Sequence, residues 1–230
     1  MKIIALFKKM LVFTLFFIPI CLFAQNDSIV NVKLPVNAEK LEVNFQYSAI
    51  TLLNTNTTKV TVSNYGDGKI KKRTPSESTN KILGITYVES KFKFFIDFTN
   101  ALNQSANVTG TKKTSNVLEK IEATMTTNSE PSRSWNLSLR IDKVGFFNID
   151  KGSLTDGERS IKIIRSKVGR FQNIEELSEW PPETLFYEFI EDGVSLGAMI
   201  CEGGNVIWLK PDLDASTKLI VCTAMLSMAS

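Results

Sequence analysis

The chain has 230 residues with 27 basic and 24 acidic side chains and no histidine. Lys2, Lys8 and Lys9 fall in its first 24 positions, where no acid lies, so the remainder carries 24 residues of each sign and no net charge. That balance gives no general electrostatic drive toward nucleic acid, and the missing imidazole excludes Ser-His-Asp and Cys-His nucleophile pairs and His-ligated zinc.

Residues 1–24 are expected to be a cleavable signal peptide. Lys2, Lys8 and Lys9 precede an almost wholly apolar run, Met10 to Phe23, and Ala24 precedes the polar Gln25-Asn26-Asp27-Ser28. The apolar run is 14 residues, short of the roughly 20 that a spanning helix needs. An alternative, lipidation at Cys21, meets the obstacle that Phe17-Ile18-Pro19-Ile20 offers no small residue ahead of the cysteine. Export makes a disulfide between Cys201 and Cys222 an option. Each sits in an apolar stretch, where a free thiol also packs well.

Residues 25–230 read as one domain of short β-type runs. Leu41 to Tyr47 alternates apolar and polar. Val60 to Ser63 leads through the turn residues Asn64 to Gly68 toward a paired strand at Lys69 to Arg73. Ile82 to Ser90 and Phe92 to Phe98 read as consecutive strands, and Trp135 to Ile141 alternates cleanly, as does Ser160 to Ile163 after Asp156-Gly157. Leu185 to Ile190, Ser195 to Ile200 and Val206 to Leu209 are separated by Asp192-Gly193 and Gly203-Gly204, dipeptides that tolerate positive φ and favour hairpins. Asn116 to about Thr126 reads as an amphipathic helix on the spacing of Val117, Ile121 and Met125.

The last segment is the most informative. Asp212 to Ser216 offers capping groups for a helix over 214–229. Leu219, Ile220, Val221, Cys222, Ala224, Met225 and Leu226 make it apolar on every side, and Thr223 and Ser227 can return their hydroxyls to the backbone. A helix of roughly 20 Å cannot cross a bilayer, so it must be surrounded by protein. The expected fold is mainly β: a closed antiparallel barrel of about 10–12 strands around this buried helix. The alternative is a β-sandwich with the terminus as a final strand.

Lys210-Pro211-Asp212-Leu213-Asp214, then Lys218 and the apolar run with Ala224, resembles the end of the phospholipid scramblase domain, and Val194 to Ala198 resembles the strand before it. The resemblance covers about residues 183–229 and implies the tubby-like barrel shared by tubby proteins, scramblases and LURP-one-related proteins. Glu202-Gly203-Gly204-Asn205-Val206 lacks the acidic calcium-binding residues of scramblases, so calcium-dependent scrambling is not implied.

Lys69, Lys71, Lys72 and Arg73 form the densest basic cluster, a candidate site for phosphate head groups or an acidic glycan. Lysines on an edge strand are also ordinary protection against aggregation. No basic residue lies from Phe171 to Asp192, a stretch holding Glu175, Glu176, Glu179, Glu183, Glu188 and Glu191 that reads as a solvated linker around Pro181-Pro182. Trp135 and Trp208 are expected in the core and Trp180 at the surface; Ser195 and Thr155 lack a base within any nucleophile motif. These residues point to an exported, non-enzymatic binding or structural protein of the cell envelope, secreted or periplasmic. No cofactor, metal or nucleic acid is expected, and a monomer would recognise an anionic lipid or glycan surface. An envelope hydrolase using a carboxylate pair and an adhesin-like sandwich module are the rivals.

Overall fold

In the structure, a computed structural model, the alternation of Leu41, Val43 and Phe45 with Lys40, Glu42 and Asn44 sends the apolar set to one side of strand β1, Glu39–Tyr47. The same rule repeats along the chain. The strands are β2 (Thr55–Val62), β3 (Gly66–Arg73), β4 (Ser76–Ile82), β5 (Ile85–Asn100), β6 (Ser105–Thr114), β7 (Leu118–Thr127) and β8 (Ser134–Asp142). They continue as β9 (Lys151–Thr155), β10 (Ser160–Lys167), β11 (Leu185–Glu191), β12 (Val194–Ile200) and β13 (Val206–Leu209), before helix α1, Ala215–Ala229. The structure describes residues 34–35, 37–48, 55–82, 85–116, 118–128, 133–142, 151–167, 185–200 and 205–229.

All strand pairings are antiparallel. β1 pairs β2 and β13, the order then runs back through consecutive strands to β5, and β3 pairs the second half of β5, Gly66↔Asn100 to Lys72↔Phe94. That last pairing closes a 12-strand barrel and overturns the sandwich alternative. β4 stands outside the ring, paired with the first half of β5.

Helix α1 fills the barrel. Thr217 and every residue from Leu219 to Met228 are buried, with Leu219, Val221, Cys222, Ala224, Met225 and Leu226 at zero exposure. They meet inward residues such as Phe94, Ile96, Met125 and Leu137 in one cluster. Asp214 caps the helix, its carboxylate accepting the Thr217 N–H at 2.9 Å. Inside, Thr223 Oγ1 donates to the Leu219 carbonyl at 2.7 Å and Ser227 Oγ to the Thr223 carbonyl at 2.9 Å, which satisfies both hydroxyls within the helix. Gly197 is required by this packing: a Cβ there would lie 2.9 Å from Met225 Cε and 2.8 Å from the Trp208 carbonyl oxygen.

Several expectations need correction. The helix expected over Asn116 to Thr126 is strand β7. A spacing of four satisfies period 2 as well as period 3.6, and Ile121, Ala123 and Met125 all point inward. The two strands read at Ile82–Ser90 and Phe92–Phe98 are the single 16-residue β5. The turn read over Asn64 to Gly68 ends sooner, at Tyr65, because Asn64 takes the positive φ of 57° and β3 begins at Gly66. Asp192-Gly193 does make the hairpin turn, with φ of 49° and 79°.

The strands β11 to β13 are buried on both faces. Phe186, Ala198, Ile200, Val206 and Trp208 form a second cluster on the outer side, with Leu34, Ala38 and Ile164 against it. Glu188 belongs to strand β11 and is only 3% exposed, so this part of the acidic stretch is wall and not solvated linker. Trp135 and Trp208 are both buried, as expected. Glu175, Glu176, Glu179, Trp180 and Glu183 lie outside the described residues.

Candidate functional site

Strand alternation divides the predicted basic cluster between two faces. On β3, Ile70 is buried in the barrel and Lys72 shares its side, whereas Lys69, Lys71 and Arg73 are exposed on the outer wall. The Lys72 ammonium lies 5.9 Å from the Phe92 ring centroid. Burial, and then the charge of Lys112, pull its pKa below the usual lysine value. β3 is also no edge, being paired on both sides, so its lysines have no edge to protect.

Of the outward members, Arg73 faces a recess. Arg73 sits over the Phe95 ring at 5.8 Å, and Lys71 approaches the Asp97 carboxylate at 3.8 Å. The register then places two rows of side chains across the wall. One runs Lys71, Phe95, Thr109, Thr124, Asn136; the next runs Lys93, Thr111, Glu122, Ser138. Between the long side chains of Arg73 and Lys93 and the short hydroxyls beyond them opens a cavity of about 560 Å³. Its surface offers a guanidinium, an ammonium, one half-buried aromatic ring, several hydroxyl and amide groups and the carboxylate of Glu122, which is paired with Lys120; the two cations suit an anionic polar ligand.

A third row is the most strongly charged. Lys91 on β5 pairs Lys113 on β6, which pairs Lys120 on β7, which pairs Arg140 on β8. Residues directly opposite in an antiparallel sheet have Cβ atoms roughly 5 Å apart, and like charges so placed are destabilising. Two carboxylates relieve the repulsion: Glu89 approaches Lys113 at 3.4 Å and Glu122 approaches Lys120 at 2.8 Å. Sequence reading missed this row because its members are scattered along the chain. The discoverable signal was local to one hairpin, where Lys113 and Lys120 flank the β6–β7 turn.

The opposite end of the barrel is a clamp. Arg159 donates through Nε and Nη2 to the Glu191 carboxylate at 2.9 and 2.7 Å and stacks 5.4 Å from the Trp135 ring. Hydrogen bonding to Glu191 raises its pKa further. Lys218 Nζ bonds Glu39 and lies 5.5 Å from the Tyr65 ring. Burial pushes the Tyr65 phenol up, and burial likewise pushes the Cys222 thiol far above its ordinary value. Cys222 is a buried free thiol, and Cys201, the other cysteine of the disulfide weighed above, lies outside the described residues. Thr155 Oγ1 donates to the Arg159 carbonyl at 2.6 Å and accepts the Gly157 N–H at 3.1 Å, closing a turn. Ser195 is the second residue of strand β12, its hydroxyl oxygen buried. No helix among the described residues is long and apolar enough to cross a membrane.

Comparison with protein-family models, with curated proteins and with solved structures returned no match.

Proposed function

We propose that this chain is an exported, non-enzymatic binding protein of the cell envelope that recognises an anionic ligand on its outer wall at Arg73 and Lys93. The observation that carries this reading is the cavity beside those two cations, with hydroxyl and amide side chains across its floor. The interior supports it indirectly, since α1 fills the space where many barrels hold a ligand. The closing of the barrel around an apolar C-terminal helix capped by Asp214 supports the tubby-like kinship proposed from residues 183–229. Export rests on the charge, apolar run and small residue of positions 1–24. N-terminal sequencing of protein recovered from the exporting cell should begin at Gln25.

Charge reversal tests the site. The double variant Arg73→Glu and Lys93→Glu should bind acidic glycans or anionic vesicles at least ~10-fold more weakly, about 1.4 kcal/mol, with an unchanged thermal midpoint. Unchanged affinity would overturn the assignment of this wall.

A further inference from the structure

We propose that the row Lys91, Lys113, Lys120 and Arg140 is a polyanion track whose ligand is a linear acidic polysaccharide with a carboxylate or sulfate on successive sugars. The inference rests on the reading of this wall as an anion-binding surface and adds the class of ligand.

Four observations lead there. The row sets like charges opposite one another on four successive strands, an arrangement that costs stability and that packing alone does not require. Protection of a sheet edge cannot explain it, because β6, β7 and β8 are each paired on both sides.

Direction supplies the second argument. Neighbouring strands are roughly 4.8 Å apart, so the row extends over roughly 14 Å in the hydrogen-bonding direction. It therefore runs round the barrel and not along it, covering four strands of a ring of 12. A flat bilayer meets a convex wall along a line and reaches few of these charges at once. A flexible chain can follow the curve and meet each in turn, with repeating anions at a spacing close to that of the strands.

The neighbouring rows provide the third. Thr111 and Ser138 lie in the row beside the track, with Glu122 between them paired to Lys120, and Phe95, Thr109, Thr124 and Asn136 beyond. Hydroxyl and amide groups suit hydrogen bonding to sugar hydroxyls, and a half-buried ring suits the apolar face of a pyranose. A single-stranded nucleic acid would call for aromatic platforms repeated along the track, and the track itself carries none.

The fourth concerns exchange. The carboxylates of Glu89 and Glu122 hold Lys113 and Lys120 in partly exposed surface pairs, which are individually weak, so a dense polyanion can displace them.

The test titrates the full-length protein with polygalacturonate, a neutral glucan of similar length, phosphatidylglycerol-rich vesicles and single-stranded DNA, each over a salt series. Polygalacturonate should bind, the neutral glucan should not, and log K should fall linearly with log salt. Lys113→Ser with Lys120→Ser should weaken polygalacturonate at least ~10-fold and lower the salt slope by up to about two. Lys113→Arg with Lys120→Arg should restore both. Preferential binding of vesicles or DNA, or a serine variant that binds polygalacturonate like the parent, would overturn the track. If that serine variant is silent while the Arg73 and Lys93 variant abolishes anion binding, the track falls and the broader reading stands. If the parent binds no anionic probe, both fall.

Discussion

Arg159 Nη1 donates to Thr217 Oγ1 at 3.0 Å, a bond between the barrel wall and the first turn of the helix inside it. The same guanidinium holds Glu191 on β11 by two further bonds and stacks on Trp135 of β8. One side chain thus joins the β9–β10 turn, two more strands and the helix. Fold closure and helix seating become one cooperative event at this point, which is the physical content of a buried helix in a barrel.

Replacing Arg159 should therefore loosen both. Arg159→Met keeps much of the stem and removes the charge-assisted bonds, each of a class worth about 1.5–3 kcal/mol. Partial exposure screens the pair, so the expected loss is about 1–2 kcal/mol, or roughly 2–8 °C in the thermal midpoint. Arg159→Lys should recover little, because an ammonium cannot reproduce the two-pronged contact with Glu191. Thermal unfolding followed by near-ultraviolet circular dichroism measures this; a midpoint unchanged in Arg159→Met refutes the clamp.

The sequence announced some of this architecture and concealed the rest for definable reasons. Helix α1 was legible because eleven buried side chains on all sides of one short segment leave burial in protein as the only outcome. Strand alternation at Leu41–Tyr47 and Trp135–Ile141 was equally plain, since both match the observed inward sets. β7 was misread because Ile121 and Met125 fit either period, and only pairing with β6 and β8 decides between them. For the basic site, proximity in sequence misled. Lys72 is adjacent to Lys71 and Arg73 in the chain but faces the other side of the wall. Lys113 and Arg140 are far apart in the chain and stand two strands apart in one row. A strand turns every second residue away, so a charge cluster in sequence is halved on folding, and the surface cluster is assembled across strands.

The helix cap gives the stability an acid limb. Burial would raise the Asp214 pKa, but bonds from the Thr217 hydroxyl and amide and the charge of Arg159 outweigh it and hold the carboxyl below its ordinary value. Asp156 is lowered in the same sense, by the Arg159 amide and by Arg133 against the opposing effect of burial. A carboxyl whose pKa is depressed on folding stabilises the native state above its unfolded pKa, and that stability drains as pH falls through the folded value. Loss should begin as pH drops below about 4. Asp214→Asn retains a capping oxygen and removes the titration. Its urea midpoint should fall modestly at pH 7 and converge on that of the parent in acid. Parallel curves at every pH would show that Asp214 does not contribute to the acid limb.

Deletion of the helix is the most severe test of the architecture. A chain ending at Pro211 keeps every strand of the ring but loses the side chains from Leu219 to Met228 that fill it. Phe94, Ile96, Met125 and Leu137 would then face a void or water. Emptying a single large side chain from a core costs about 2–5 kcal/mol, and a domain holds about 5–15 kcal/mol in total. The deficit exceeds the whole stability several times over, so the truncated protein should show no cooperative unfolding transition and no near-ultraviolet dichroism. Leu226→Lys delivers a milder version, burying one charge at the zero-exposure position of Leu226, and should unfold the protein or drive its lysine pKa far down. A truncated chain that still melts cooperatively would mean that the strands close on their own, and the helix would lose its place as the core on which the wall is built.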